Sequence, residues 1–132
     1  MIKFLKRGGM MLNLFRFLAL VFLLAACTNQ STSSTESIAN NILENNPQAD
    51  IFLFNDRIYE SKELVHSINI NELEEVGKIT KSHEKKGSIE ENMATSLPVG
   101  TKIYFLKGSE NKDHLYVRKK EGVYKYVAET EG

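Results

Sequence analysis

Residues 101–128 read TKIYFLKGSENKDHLYVRKKEGVYKYVA, and this segment gives the clearest indication of the fold. It contains three runs rich in β-branched and aromatic residues, at 101–107, 114–119 and 123–128. The six-residue segment 108–113 and the three-residue segment Lys120-Glu121-Gly122 separate these runs, as turns do between strands. The pattern predicts a three-stranded meander, preceded by a type I turn at Leu97-Pro98-Val99-Gly100.

A second strand pair is predicted upstream. Short runs at residues 51–54 and 57–60 flank Asn55-Asp56. Asn and Asp both tolerate the positive φ of a two-residue hairpin turn, although glycine is the usual second residue. We therefore expect a β-hairpin at residues 51–60.

The region between these elements is less regular. Residues 61–70 fit either a short helix capped by Ser61 or a strand. Residues 75–82 predict another short strand, and residues 83–93 are polar and typical of a loop. The total is about six strands of about five residues, which suits a small single domain of the α+β, mostly β class or a partly closed barrel.

The first 26 residues have the layout of a cleavable export signal. Basic residues precede an apolar run at 17–26, which ends in small residues. That run is about 10 residues long, whereas a helix that spans a bilayer needs roughly 20, so a permanent transmembrane helix is not expected. Met1, Met10 and Met11 are all candidate start sites for translation.

Cys27 follows Leu24-Ala25-Ala26, and the four residues resemble a bacterial lipobox, at which the signal is cut and the cysteine acylated. This predicts lipidation at Cys27 by palmitate-type acyl chains and attachment to the outer face of the cell membrane. The alternatives are an ordinary secretory signal with a chance cysteine, or a buried cysteine that packs as a small hydrophobe. Since Cys27 is the only cysteine, no disulfide can form within the chain.

The chain after Cys27 divides into a tether and a domain. Residues 28–35 are small and polar and bury nothing, so residues 27–48 are expected to form a flexible tether. Within it, Ile38, Ile42 and Leu43 recur at helical spacing and allow a short, marginal helix that Pro47 would end. The β-rich domain is expected at residues 49–132.

Charge argues against nucleic acid as a partner. The four basic residues within residues 1–26 are Lys3, Lys6, Arg7 and Arg16. Removing these four of the 17 basic residues leaves 13 against 17 acidic residues, so the mature chain is mildly acidic. Nucleic-acid binders usually show a basic excess gathered on one face, together with a recognisable motif.

Several segments resemble uncharacterised small lipoproteins of Bacillus-type Gram-positive bacteria. They are Ala49-Asp50-Ile51-Phe52, Ile58-Tyr59, Val76-Gly77-Lys78-Ile79 and residues 94–104, and the most specific part is Leu97-Pro98-Val99-Gly100-Thr101-Lys102-Ile103-Tyr104. The resemblance covers roughly residues 49–128. It implies a β-rich surface domain in a Gram-positive cell envelope and no catalytic residue. The chain departs from the group at Asn55-Asp56, where Asn-Gly would be expected, and this affects the hairpin only.

The sequence shows no pattern typical of catalysis, metal binding or a cofactor. His66, His83 and His114 are far apart and lack the spacing of a helical metal pair. No nucleophile elbow or phosphate-binding glycine loop is present. Two acidic clusters lack the spacing of a calcium loop and are interpreted as solvated faces. The first comprises Glu72, Glu74 and Glu75, and the second is Glu90-Glu91.

Two basic runs are candidates for contact with anionic wall polymer or lipid head groups. The first comprises Lys81, Lys85 and Lys86 with His83, and the second is Arg118-Lys119-Lys120. Clustered lysines gain about 1 kcal/mol each near a negative surface. Acidic residues interleave or follow both runs, so a plain polar loop is the alternative reading.

The period of two along the meander suggests one candidate binding face. A regular meander gathers four tyrosines and one arginine on one side: Tyr104, Tyr116, Arg118, Tyr124 and Tyr126. Tyrosine and arginine are favoured at interface hot spots. The alternative is that this face lies under the 51–59 hairpin as a second core layer.

These observations predict a membrane-anchored envelope lipoprotein with a non-enzymatic binding domain. Its expected partners are the membrane, through the lipid on Cys27, and another envelope protein or wall component. The alternative is a small accessory enzyme or enzyme inhibitor at the cell surface, with a site assembled from dispersed residues.

Overall fold

One eight-stranded sheet forms the centre of the molecule. The structure is a computed structural model, and it describes residues 34–84 and 87–130. The expected export signal and Cys27 lie outside the described residues. The elements in chain order are α1 (Ser34–Asn45), β1 (Ile51–Phe54), β2 (Arg57–Val65), a 3₁₀ turn (Ile70–Glu72), β3 (Leu73–Lys78), β4 (Lys81–Ser82), β5 (Met93–Ala94), β6 (Lys102–Leu106), β7 (His114–Lys119) and β8 (Gly122–Ala128).

The strand order is β3-β6-β7-β8-β2-β1-β5-β4, with every pair antiparallel except β4 and β5. Strands make up 43% and helix 16% of the described residues, which confirms a mostly β fold. The expected six strands are corrected to eight. The two additional strands are β4 and β5. Each has only two residues, which is too short to show the alternation of apolar and polar residues by which a strand is predicted.

The sheet curls into an open half-barrel, and the connection between its edges explains why. The outermost strands β3 and β4 are separated in sequence only by Ile79 and Thr80. Three peptide units span at most about 11 Å, so the two edges must approach each other there. The Ile79 N–H donates to the Thr101 carbonyl at 2.8 Å, and the Thr80 N–H donates to the Asn92 carbonyl at 2.9 Å. The chain thus passes from one edge of the sheet to the other.

The predicted hairpin is confirmed. In it β1 and β2 pair in the register Phe54↔Arg57, and both turn residues have positive φ, 48° at Asn55 and 61° at Asp56. The Glu91 carboxylate accepts hydrogen bonds from both of their backbone N–H groups. This acceptor compensates for the missing glycine by stabilising the turn from outside it.

The predicted meander is also confirmed, as β6, β7 and β8. The turn before it differs from the prediction, because the Thr101 N–H donates to the Pro98 carbonyl and Gly100 has φ 93°. A type I turn has no positive φ, whereas a type II turn places glycine at this third position. Residues 61–65 continue β2, which resolves the helix-or-strand ambiguity in favour of a strand up to Val65.

Three apolar clusters hold the sheet. The first cluster lies inside the curl. It includes five residues that are each 3% exposed or less: Phe52, Tyr59, Ile103, Val117 and Tyr126. A second cluster on the other face of β1 and β2 is covered by α1, and a third lies under the β2–β3 connection, where Ile68 packs on Leu73, Tyr116 and Val123.

The expected tether is corrected for residues 34–48. Residues 34–45 form the three-turn helix α1, whose Ala39 is 1% exposed, and its Ile38, Ile42 and Leu43 pack against the second cluster. An isolated helix of this length is marginal in water, so the packing supplies the stability that the local sequence lacks. Sequence patterning identified the apolar stripe but not the surface that buries it.

Candidate functional site

The five residues expected on one binding face lie on two opposite faces of the meander. Tyr104 pairs with Tyr116 across β6 and β7, so these two share a face. Tyr116, however, pairs with Lys125, while Tyr124 pairs with Val117. Arg118 has the parity of Tyr116 along β7 and lies on its face. The prediction of a single tyrosine face is therefore wrong.

The cause is one residue of loop length. The sequence predicts a three-residue turn at 120–122, but Lys119 pairs with Gly122, so only Lys120 and Glu121 form the turn. Shifting the register by one residue moves every side chain of a strand to the other face. The signal that would have corrected the prediction is that a two-residue turn is the commonest hairpin connection.

Burial divides the tyrosines further. Tyr126 is fully buried with its ring centroid 5.1 Å from that of Phe52, and Tyr116 is 5% exposed. Tyr104 and Tyr124 are partly buried, and Arg118 is exposed. For Tyr124 and Tyr126 the alternative of a core layer packed against the β1–β2 hairpin is the one that the structure has.

A polar cluster forms where the buried face meets solvent at the β7–β8 turn. One oxygen of Asp50, Oδ2, accepts a hydrogen bond from the Tyr126 hydroxyl at 2.7 Å and from Lys119 Nζ at 2.8 Å. Lys119 Nζ also lies 4.5 Å from the centroid of the Tyr124 ring. Burial, and next the hydrogen bond to Asp50, raise the pKa of Tyr126. Asp50 lies 69 positions from Lys119 in sequence, so no local motif could have indicated it.

The second oxygen of Asp50, Oδ1, is buried and has no hydrogen-bond partner among the described residues. The first oxygen is shared by a cation and a hydroxyl, which offsets the cost of burying a carboxylate. The cluster joins the residue before β1 to the ends of β7 and β8. Its first effect is therefore structural.

A cavity of about 430 Å³ lies beside this cluster. Its lining comes from the segment before β6 and from the β7–β8 turn: Ser96, Leu97, Pro98, Thr101, Arg118, Lys119, Lys120 and Glu121. Three consecutive cations thus stand at its rim, and only Lys119 has a carboxylate partner among the described residues. The second basic run of the sequence is therefore placed at a concave surface.

The first basic run is divided. Lys81 is paired with Glu90, and His83 Nε2 lies 2.7 Å from the Gly87 carbonyl oxygen. Lys85 and Lys86 lie outside the described residues. Of this run, the two residues that the structure describes, Lys81 and His83, both have partners.

The acidic clusters are used within the fold. Glu72 Oε2 accepts from the Asn69 N–H at 2.7 Å and completes a capping box around the 3₁₀ turn. Glu75 lies 3.7 Å from Lys102, and Glu91 binds the hairpin turn. The interpretation of these residues as solvated faces is thus refined for Glu72 and Glu91, which stabilise turns.

The three histidines stay apart, and within residues 34–84 and 87–130 no group of three or more His, Cys, Asp or Glu side chains could hold a metal ion. His114 Nδ1 lies 3.4 Å from Asn111 Nδ2. The same ranges contain no helix that is long and apolar enough to cross a membrane.

Comparison with known proteins adds no assignment, since the chain matches no protein-family model, no curated protein and no solved structure.

Proposed function

We propose that this protein is a membrane-anchored envelope lipoprotein, with its lipid on Cys27 and a non-enzymatic binding domain that begins at α1. The observation that carries the proposal is the succession of basic residues, apolar run and Leu24-Ala25-Ala26-Cys27 in the first 27 residues. Two acyl chains suffice for stable attachment, whereas one gives only marginal binding.

The short distance between Cys27 and Ser34 supports a recruiting role. Seven peptide units reach at most about 25 Å, so a lipid on Cys27 would keep the half-barrel close to the membrane surface. The domain would then act by being present at that surface and by contacting another envelope protein or a wall component.

The rim of the 430 Å³ cavity supports binding rather than catalysis. Arg118 and Lys120 are exposed there, and neither has an ion-pair partner among the described residues. Of the titratable groups beside the cavity, Asp50, Lys119 and Tyr126 are bound to one another. Cations at a rim suit recognition of an anion, while groups engaged in a structural contact are poorly placed for proton transfer.

The experiment is metabolic labelling of the full chain with an alkyne-bearing fatty acid in a Gram-positive host. We expect wild type to be labelled and Cys27→Ala to be unlabelled, because no other residue offers a thiol to the lipid-transfer enzyme. Ala128→Ser, a substitution far from the lipobox, serves as the control and should be labelled as wild type is. Labelling of Cys27→Ala, or normal maturation while the lipoprotein signal peptidase is inhibited, would contradict the proposal.

One observation favours the second candidate, an accessory enzyme or inhibitor at the cell surface. Asp50 Oδ1 is buried beside the cavity without a hydrogen-bond partner in the described part of the chain, and a catalytic role is one explanation for such a group. An enzyme would turn over a chromogenic phosphate ester, acyl ester or glycoside, and Asp50→Asn would abolish that turnover. Absence of turnover by wild type on all three substrate classes would count against hydrolytic activity.

A further inference from the structure

Three cations stand in a row across three neighbouring strands at one end of the sheet. Lys78 on β3 lies directly opposite Lys102 on β6. The β6–β7 register pairs Ile103 with Val117, and one further step places Lys102 beside Arg118. Lys102 and Arg118 also line one shallow cavity of about 250 Å³. We call Lys78, Lys102, Arg118 and Lys120 the basic end, since Lys120 continues the series into the β7–β8 turn.

This arrangement is unfavourable for the fold by itself. Like charges directly opposite each other on adjacent strands destabilise a sheet. Lys102 is 3.7 Å from Glu75, and both side chains are about half exposed, so that attraction is screened. Among the described residues Lys78, Arg118 and Lys120 have no ion-pair partner.

The rest of the same sheet is built differently. Lys125 lies opposite Glu63 across β2 and β8, with Nζ 2.7 Å from the carboxylate. Lys62 lies 2.6 Å from Glu129. In both cases the lysine side chain has a carboxylate partner. The cations of the basic end lack such anions, apart from Glu75 and the neighbouring Glu121, and this leaves a surplus of positive charge.

We infer that the basic end is a binding site for a linear, phosphate-bearing polyanion. Adjacent strands are about 4.8 Å apart, so the row from Lys78 to Arg118 extends about 10 Å. Cations spaced along a line match an anion that repeats along a chain, whereas a single small anion needs donors that converge on one point. The planar fork of Arg118 suits phosphate oxygens in particular.

The position of the basic end favours a polymer over lipid head groups, and this step rests on the proposed lipid anchor at Cys27. The start of α1 lies towards the β1–β2 turn, since Glu36 accepts from Ser88 and Glu91, three residues on, binds that turn. The helix then runs about 18 Å towards Asp50, which contacts Lys119 beside the basic end. The anchored chain therefore joins the domain at the end of α1 that lies away from Arg118 and Lys120.

The test measures binding of fluorescently labelled inorganic polyphosphate to the purified full-length chain in a neutral detergent, by fluorescence anisotropy at low salt. Lys78→Gln, Lys102→Gln and Arg118→Gln are combined in one variant. Each cation is worth about fivefold near a dense negative array, so the triple variant should bind about 100-fold more weakly. Affinity of the wild type should fall steeply as salt is added.

The control variant combines Lys62→Gln, Lys112→Gln and Lys125→Gln, which removes the same charge from elsewhere, and its affinity should stay within about threefold of wild type. Thermal unfolding of both variants verifies that they are folded. No binding by wild type, or an equal loss in both variants, would overturn the inference. Micelles containing phosphatidylglycerol are the competitor, and competition as effective per phosphate as that of unlabelled polyphosphate would assign the site to head groups and also overturn it. Cys27→Ala should bind polyphosphate as wild type does, so the result does not depend on whether the anchor proposal holds.

Discussion

The two ends of the half-barrel use their charged groups in opposite ways. At the hairpin end, defined by the β1–β2 turn and residues 112–113, Arg57 lies 2.6 Å from Asp113 and its guanidinium stands over the Tyr59 ring at 5.7 Å. The Tyr59 hydroxyl donates to the Lys112 carbonyl at 2.9 Å. The hydrogen bond to Asp113 is the main cause of the raised pKa of Arg57. At the basic end Lys78, Arg118 and Lys120 have no ion-pair partner among the described residues, and Lys102 has only Glu75 at 3.7 Å.

The paired charges of the hairpin end contribute to stability, whereas the charges of the basic end are the ones that we propose bind an anion. Charges that face a partner hold loops against the sheet, and their removal should cost stability. Charges that face each other across strands should cost stability while present. The comparison therefore predicts opposite changes in the free energy of unfolding for substitutions at the two ends. It also depends on the burial of the tyrosines between the two ends.

The largest effect is expected at Tyr116, on the face that also carries Arg118. Tyr116→Ser should lower the free energy of unfolding by about 3–5 kcal/mol, because the ring is 5% exposed and its loss leaves a cavity. Tyr104→Ser, which truncates a partly exposed ring of the same cluster, should cost less. Urea denaturation measures both. A Tyr116→Ser variant as stable as wild type would show that this face is free for binding.

Alkaline pH should reduce stability through Tyr126. An unfolded tyrosine ionises near pH 10, and the pKa of Tyr126 is raised in the folded state, first by burial and then by Asp50. The contribution is complete below about pH 10. Above it the unfolded chain releases its proton first, so the free energy of unfolding falls by up to about 1.4 kcal/mol per pH unit.

Tyr126→Phe should flatten this slope between pH 10 and 11. Urea titrations at several pH values measure the slopes. If the slope of Tyr126→Phe equals that of wild type, the Tyr126 hydroxyl ionises equally readily in the folded and the unfolded state.

An intermediate effect is expected where Glu91 holds the hairpin turn. Glu91→Ala removes the acceptor for the Asn55 and Asp56 N–H groups and should cost about 1 kcal/mol. Its neighbour Glu90 is paired with Lys81 in an exposed contact, so Glu90→Ala should cost less than about 0.5 kcal/mol. Equal losses, read from the shift of the denaturation midpoint, would contradict the role assigned to Glu91.

The smallest effect tests the comparison directly. Lys78→Gln relieves repulsion from Lys102 and should raise the free energy of unfolding by a few tenths of a kcal/mol. Arg57→Gln breaks a contact with Asp113 and should lower it by about 0.2–1 kcal/mol. Both variants remove one positive charge, and both are measured at low salt. Changes of the same sign would remove the distinction between the two ends.

Sequence reasoning succeeded where structure is set locally. Asn55 and Asp56 fix a hairpin because both accept positive φ, and the strands at 102–106 and 114–119 alternate around a common buried face. Pairing within such units involves neighbours in sequence, so propensity and turn chemistry decide it. The tether prediction failed for the opposite reason, because α1 depends on Ile58 and Met93, which are distant in sequence.

The candidate site was predicted only in part. Arg118-Lys119-Lys120 was visible as a basic run, but its cavity, its neighbour Asp50 and the row from Lys78 to Arg118 were not. Lys78 and Arg118 are 40 positions apart in the chain, and only the pairing of β3, β6 and β7 brings them to one end. The prediction of a single tyrosine face failed because the β7–β8 turn is one residue shorter than predicted, and composition does not reveal the length of a turn.

By itself, the sequence determined a β-rich domain with one hairpin and one meander, behind a segment with the layout of a lipoprotein signal. Only the tertiary structure decided how these units join: the curl imposed by the two-residue link at Ile79 and Thr80, the packing of α1, and the side of the sheet on which each tyrosine and cation lies. The physical reason is that turn and strand preferences act over a few residues. Register, closure and charge pairing are settled by free energies that accrue only when distant strands meet.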